Sequence, residues 1–180
     1  MKKFTTIATF AFAFLMVLSS NVTAQEFQGL DKSPMDIASY PSSYKDANKQ
    51  MKIIYSRPQL KDRSLSKLAP NGEVWRTGAN EAAELVLYAD FKLGDTTLKA
   101  GSYSFYTIPG DKEWTIILNS DLNTWGSYYY KEKNDVVRIK VPVTSGKSLE
   151  AFSIAMEESD NGVTMHLGWD TVRVAVPFTK

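Results

Sequence analysis

The residues best placed to do chemistry in this chain are crowded into one stretch. Trp75, Arg76, Asn80 and Glu81 fall within seven positions, just beyond Pro70-Asn71-Gly72, a run that marks a turn. An arginine fork can grip a carboxylate or phosphate through two parallel hydrogen bonds, with an amide and a carboxylate beside it to orient the ligand. The architectural alternative has Trp75 anchor the loop on the core while Arg76 and Glu81 satisfy one another, because a long connection between strands must hydrogen-bond its own backbone. Arg57 and Arg138 stand at or near expected strand ends and would join Arg76 in an anion site, or serve singly as ion-paired surface residues. His166 is the only histidine, so any histidine-base mechanism must run through it.

The run Trp125-Gly126-Ser127-Tyr128-Tyr129-Tyr130 offers rings on a loop, as sugar-binding proteins do, or a cap over the core. Asp95-Thr96-Thr97 and Asp170-Thr171-Val172 resemble a three-residue O-glycosylation acceptor. The chain has no cysteine and a single histidine, which excludes thiol catalysis, iron–sulfur clusters, cysteine-ligated zinc and multi-histidine metal sites. No loop shows the regular acidic spacing of a calcium site, and no Gly-x-Ser-x-Gly elbow supplies an activated nucleophile. No cofactor and no metal are expected. With 21 basic and 20 acidic residues the chain lacks the basic footprint of a nucleic-acid binder.

The elements that must hold these residues are strands. Period-2 alternation dominates from Met51 onward and helical periodicity is nearly absent. Strands are expected over residues 51–57, 84–90, 101–108, 113–119, 135–141, 149–157, 163–169 and 172–177, with a small hairpin about Gly94-Asp95 and at most one helical turn near 64–68. Taking Asp170-Thr171 as a two-residue loop pairs Trp169 with Val172, Leu167 with Val174 and Met165 with Val176. The preceding hairpin then pairs Met156 with Val163, Ile154 with Met165 and Phe152 with Leu167, and the turn at 109–112 pairs Phe105 with Ile116. Each pairing puts apolar residues on one face. In this register His166 lies on the opposite face, between Ser153 and Ala175. The expected fold is all-β, an antiparallel β-sandwich or a partly closed barrel.

Three stretches divide the chain. Residues 1–24 read as a signal peptide, from Lys2 and Lys3, the apolar run from Phe10 to Leu18, and small residues at Val22 and Ala24. The apolar run is about half the roughly 20 residues that a spanning helix needs. Residues 25–50 are polar, with Pro34, Pro41 and several serines, and read as an extended arm without a strong element of its own. Residues 51–180 form a single domain, with no tandem repeat and no membrane span. Without a cysteine there is no site for a lipid anchor, so a soluble exported protein, periplasmic or secreted, is expected.

Several runs from Met51 to Phe178 resemble the family called domain of unknown function 2911. They include Ile54-Tyr55-Ser56-Arg57-Pro58, Trp75-Arg76-Thr77-Gly78-Ala79-Asn80-Glu81, Gly101-Ser102-Tyr103-Ser104-Phe105 and Glu113-Trp114-Thr115-Ile116-Ile117-Leu118-Asn119. The resemblance implies an exported envelope domain and carries no activity with it. Three functions follow from the residues: a non-catalytic binding module for a small anionic or glycan ligand, a hydrolase-like enzyme using Glu81 or His166 as base, or a structural domain without a ligand. The first is preferred, because the chain offers polar grips without a nucleophile–base pair.

Cleavage is expected between Ala24 and Gln25. Intact mass and N-terminal sequencing of the envelope protein check this, and an uncleaved chain recovered from the membrane would refute it.

Overall fold

The computed structural model describes residues 25–180, so the expected signal peptide lies outside the described residues. Nine strands follow in chain order: β1 Met35–Tyr40, β2 Met51–Ser56, β3 Ala83–Leu87, β4 Phe91–Leu93, β5 Thr96–Leu98, β6 Gly101–Ile108, β7 Glu113–Asn119, β8 Asp135–Ser159 and β9 Gly162–Thr179. One helical turn, α1 Leu65–Leu68, falls where it was expected. The strands form one antiparallel sheet in the order β1-β2-β3-β6-β7-β8-β9-β4-β5, not closed into a barrel. Among the described residues no helix is long and apolar enough to cross a membrane.

The sheet turns on β8. Residues as far as Pro142 pair with β7, and from Val143 onward the strand pairs with β9 instead. Pro142 sits at this change of partner, where a residue without an N–H costs the ladder least. Sequence reading divides this strand in two, because Pro142, Gly146 and the serines look like a loop. The backbone passes through them as irregular strand, with the register shifting between Ser145 and Leu149 and again before Ser153.

β9 likewise replaces two expected strands. Asp170-Thr171 is not a hairpin loop: Asp170 pairs with Leu149, and Val172 with Ser145. Asp170 has φ of 47°, and its carboxylate accepts from the Ser148 hydroxyl at 3.0 Å. Arg173 pins the irregularity, donating to the carbonyls of Asp170, Val172 and Lys147. A bulge and a two-residue hairpin leave the same mark on a sequence, since both reverse which alternate residues face inward. Here Val163, Met165, Leu167 and Trp169 point inward before the bulge, and Val174, Val176 and Phe178 after it.

Two further registers differ from expectation by two residues. Ile154 faces Leu167 rather than Met165, and Phe105 faces Leu118 rather than Ile116. An even displacement keeps every side chain on its own face, so the expected core set of Phe152, Ile154, Met165, Leu167, Val174 and Val176 is buried. The arm also differs, because Met35–Tyr40 forms an edge strand paired with β2 along its length. Its exposed Met35 and Ile37 gave little apolar alternation to read, and the pairing is reinforced by an Asp36–Arg57 ion pair at 3.0 Å.

The core is centred on aromatic rings. Trp75 stacks on Trp169 of β9 with centroids 5.5 Å apart and planes 18° apart, and meets Phe152 of β8 and Trp114 of β7 edge-on. Such pairs contribute about 0.5–1.5 kcal/mol each beyond the area they bury.

Leu167→Ala should lower the unfolding free energy by about 2–5 kcal/mol in urea denaturation, as deletion of a fully buried side chain does. Thr164→Ala on the opposite face should cost about 0.5 kcal/mol or less. Equal losses at both positions would contradict this assignment of faces.

Candidate functional site

The candidate site is built where two loops are laced together. The first, residues 70–82, leaves α1 and is anchored by Trp75, whose backbone exchanges hydrogen bonds with Thr107 of β6 at 2.7 and 3.0 Å. Beyond it Thr77 and Asn80 both adopt positive φ, 53° and 62°. Asparagine tolerates this conformation, but a β-branched threonine there is strained. Thr77 is held by burial and by hydrogen bonds of its hydroxyl to Thr107 Oγ1 and the Trp75 carbonyl.

The second loop, residues 120–134, joins β7 to β8. Its backbone meets the first through Ala82 N–H to the Thr124 carbonyl at 3.0 Å, a bridge between Glu81 and Trp125, and Gly126 N–H to the Asn80 carbonyl at 2.9 Å. Residues opposite each other in an antiparallel bridge project to the same side, so the Trp125 ring and the Glu81 carboxylate share a face. Trp125, Tyr128 and Tyr129 are exposed, at 54%, 77% and 68%.

A network beneath the second loop fixes its shape. Asp135, with its side chain 7% exposed, accepts from Arg138 Nε at 2.9 Å, Asn119 Nδ2 at 2.8 Å and the Tyr130 hydroxyl at 2.6 Å. Ser104 donates to the Asp121 carbonyl, Asn134 to the Asp121 carboxylate, and the hydroxyls of Tyr106 and Thr124 lie 2.5 Å apart. The rings of Tyr106 and Tyr130 meet edge to face at 5.2 Å. Burial, then the hydrogen bond to Asp135 and the charge of that carboxylate, push the Tyr130 hydroxyl well above its ordinary value.

Arg76 lies between the loops. Its Nε is buried without a hydrogen-bond partner, and its Nη1 is 3.8 Å from where a side chain on Gly126 would begin. That same position would meet the Tyr128 ring at 2.9 Å. Gly126, with φ of 63°, therefore leaves a notch between a guanidinium and an aromatic ring. The Arg76–Glu81 pair of the architectural alternative is not formed among the described residues. Glu81 borders instead a groove of about 260 Å³ lined by Ser56, Glu84, Ser104 and Asn123.

The other candidates lie elsewhere. Arg57 donates to Asp36, to Ser153 Oγ at 2.7 Å and to the Phe152 carbonyl, tying β1 to β8. Arg138 is occupied by Glu132, Asp135 and Tyr130. A three-arginine anion cluster does not form, because two of the three already neutralise carboxylates that hold the fold. His166 sits opposite Ala155, not between Ser153 and Ala175, and its Nε2 is 3.4 Å from exposed Glu157. No hydrogen bond among the described residues joins it to a hydroxyl, and the Ser153 hydroxyl is taken by Arg57.

Residues 33–178 match the family described as Protein of unknown function (DUF2911). The chain belongs to this family. No curated protein and no solved structure matches it. The DUF2911 match spans both loops, the aromatic core and every strand up to Phe178, the residue before the end of β9. Sequence reading singled out both the Arg76 loop and the Trp125–Tyr130 rings but did not join them. The joining contacts are backbone bonds at Asn80 and Gly126, in left-handed conformations that leave no periodic trace; only the glycine after Trp125 hinted at a close approach.

The raised Tyr130 carries a pH consequence. Its neutral form is favoured in the fold, so its stabilising contribution is complete below the unfolded value of 10.0 and is lost as pH rises beyond it. Unfolding free energy should fall with pH above 10.0. Tyr130→Phe should shallow that decline without abolishing it, since Tyr55 and Tyr106 are raised by burial as well. An unchanged alkaline slope in the variant would refute this role.

Proposed function

We propose that this DUF2911 chain is an exported, non-catalytic binding module that holds a small anionic or glycan ligand between the 70–82 and 120–134 loops. The observation that carries the reading is the state of Arg76. Arg57, Arg63, Arg138 and Arg173 each donate hydrogen bonds to carboxylates, hydroxyls or carbonyls. Arg76 alone has a buried, unpartnered guanidinium nitrogen and no ion pair among the described residues. Leaving a buried donor unsatisfied costs about 1–3 kcal/mol. The enclosed Nε is out of a ligand's reach, but Nη1 of the same guanidinium lies at the Gly126 notch, where a ligand carboxylate, phosphate or hydroxyl would engage the charge.

Two further features support binding over chemistry. The strained Thr77 belongs to the same loop, and sparsely populated backbone conformations gather at ligand clamps. His166 and Glu81, the two candidate bases, stand apart: His166 faces Glu157 on β8, and Glu81 borders the groove.

Arg76→Lys keeps the charge and removes the planar fork. Since Arg76 makes no hydrogen bond through its side chain among the described residues, the variant should unfold within about 1 kcal/mol of wild type, the range of substitutions that break no named interaction. A charge-assisted contact is worth about 1.5–3 kcal/mol, so ligand affinity should fall by about 10- to 100-fold. Thermal-shift titration of both proteins with citrate, inorganic phosphate and an oligosaccharide set reads the outcome. A variant that melts far below wild type, with both proteins blank to every ligand, would make the loop architecture.

A further inference from the structure

The two grips flanking Gly126 differ in chemistry, and one ligand class answers to both. On one side stands a cation whose fork lacks a protein anion. On the other stand rings with free faces: Tyr128, whose edge lies against the glycine, and Trp125, exposed beside the Glu81 carboxylate. A small inorganic anion would use the arginine and leave the rings in water. A neutral sugar would use the rings, whose electron-rich faces attract the C–H bonds of a pyranose, and leave the guanidinium unanswered. An oligosaccharide bearing a carboxylate uses both at once.

The rigidity of the site favours a ligand that needs preorganisation. Trp125 and Tyr128 are carried on a loop whose base is held by Asp121, Asn119, Tyr130 and Asp135, so binding has little loop backbone to order. Glu81 projects on the Trp125 side. There it is an acceptor for sugar hydroxyls, while Arg76 Nη1 lies at Gly126, 3.8 Å from where a side chain there would begin. Among the described residues the cation and the carboxylate are not paired with one another, so each is free to meet a different part of a ligand. This arrangement suits an extended ligand with its acid group near Arg76 and neutral hydroxyls near Glu81, and it disfavours a polyanion laid across both.

We propose that this site takes an acidic oligosaccharide, with one carboxylate on the Arg76 fork and sugar faces on Trp125 and Tyr128. This deepens the binding reading above and rests on it. Specificity then comes in two separable parts: Arg76 selects the acid group, and the two rings select the sugar.

Calorimetric titration of purified protein with sialyllactose and glucuronosyl-xylobiose, trisaccharides that each carry one carboxylate, and with maltotriose and citrate tests this. At least one acidic trisaccharide should bind about tenfold or more tightly than maltotriose and than citrate, the size expected for one added charge-assisted contact. Arg76→Gln should reduce the acidic sugar to the level of maltotriose. Trp125→Ala and Tyr128→Ala, both at exposed positions, should weaken each sugar severalfold more than they weaken citrate. Circular dichroism of each variant confirms that it is folded. Citrate equal to the acidic sugars, with no effect of Trp125 or Tyr128, would overturn the inference and leave an anion site. Maltotriose equal to them, with Arg76→Gln indifferent, would overturn it and leave a neutral-glycan site. No binding by any of the four would overturn both the inference and the reading beneath it.

Discussion

Trp75 lies outside every strand, yet much of the structure is arranged around it. Its ring is stacked on Trp169 and edged by Trp114 and Phe152, so one loop residue touches β7, β8 and β9. The Trp75–Thr107 backbone bonds add β6. A loop so anchored at its base can carry strain further along. Thr77 and Asn80 both hold left-handed conformations, and at the β-branched Thr77 this costs of the order of 1–3 kcal/mol that an unanchored chain would relax. Those two residues turn the chain so that the Asn80 carbonyl meets Gly126. The candidate site is therefore a consequence of the aromatic core, transmitted through a few residues of backbone.

The long strands β8 and β9 are the second consequence. Trp169, which stacks on Trp75, is followed directly by the irregularity at Asp170. Its register is held by Arg173, whose guanidinium is spent on main-chain carbonyls. Gly146 and Gly168 are the matching accommodation: a side chain at either would press on Arg173 Nε at 3.1 or 3.3 Å. On β8, Glu150 supplies the carbonyl that accepts from Trp169 Nε1 at 3.1 Å, so the indole is satisfied at the point where it is most enclosed.

What could be read from the sequence follows from what a period-2 pattern encodes. It encodes faces, and the buried set from Phe152 to Val176 was legible for that reason. It does not encode register, because moving Ile154 from Met165 to Leu167 leaves every face unchanged. Nor does it separate a bulge from a hairpin, which is why Asp170-Thr171 looked like a turn and why two strands merge into β9. β1 was missed because Met35 and Ile37 face outward and the edge is held by pairing and by Asp36–Arg57, neither of which leaves a run of apolar residues. Among the site residues, types were legible and partners were not. Arg76, Glu81 and the Trp125–Tyr130 rings were visible as chemistry. Whether Arg76 met Glu81, Arg138 or Gly126 depended on tertiary contacts with no local signature.

The arginines show how differently one type of side chain can be held within the same fold. Arg57 and Arg173 hold strands in place, and Arg138 lies with a buried carboxylate under the 120–134 loop. Each makes several bonds, and removing any one would leave acceptors in poor solvent. Arg76 is held differently. The fold encloses its Nε, brings Gly126 close enough to leave room at its Nη1, and places no acid beside it. Enclosure of a donor without an acceptor is unfavourable for folding by itself, and methionine or leucine would fill the same space without that penalty. The neighbouring carboxylate that could have relieved it, Glu81, is turned to share a face with Trp125 instead. What is left is a guanidinium with its Nε enclosed and its Nη1 beside Gly126, the one arginine of the described residues that ties no part of the fold together through a side-chain hydrogen bond.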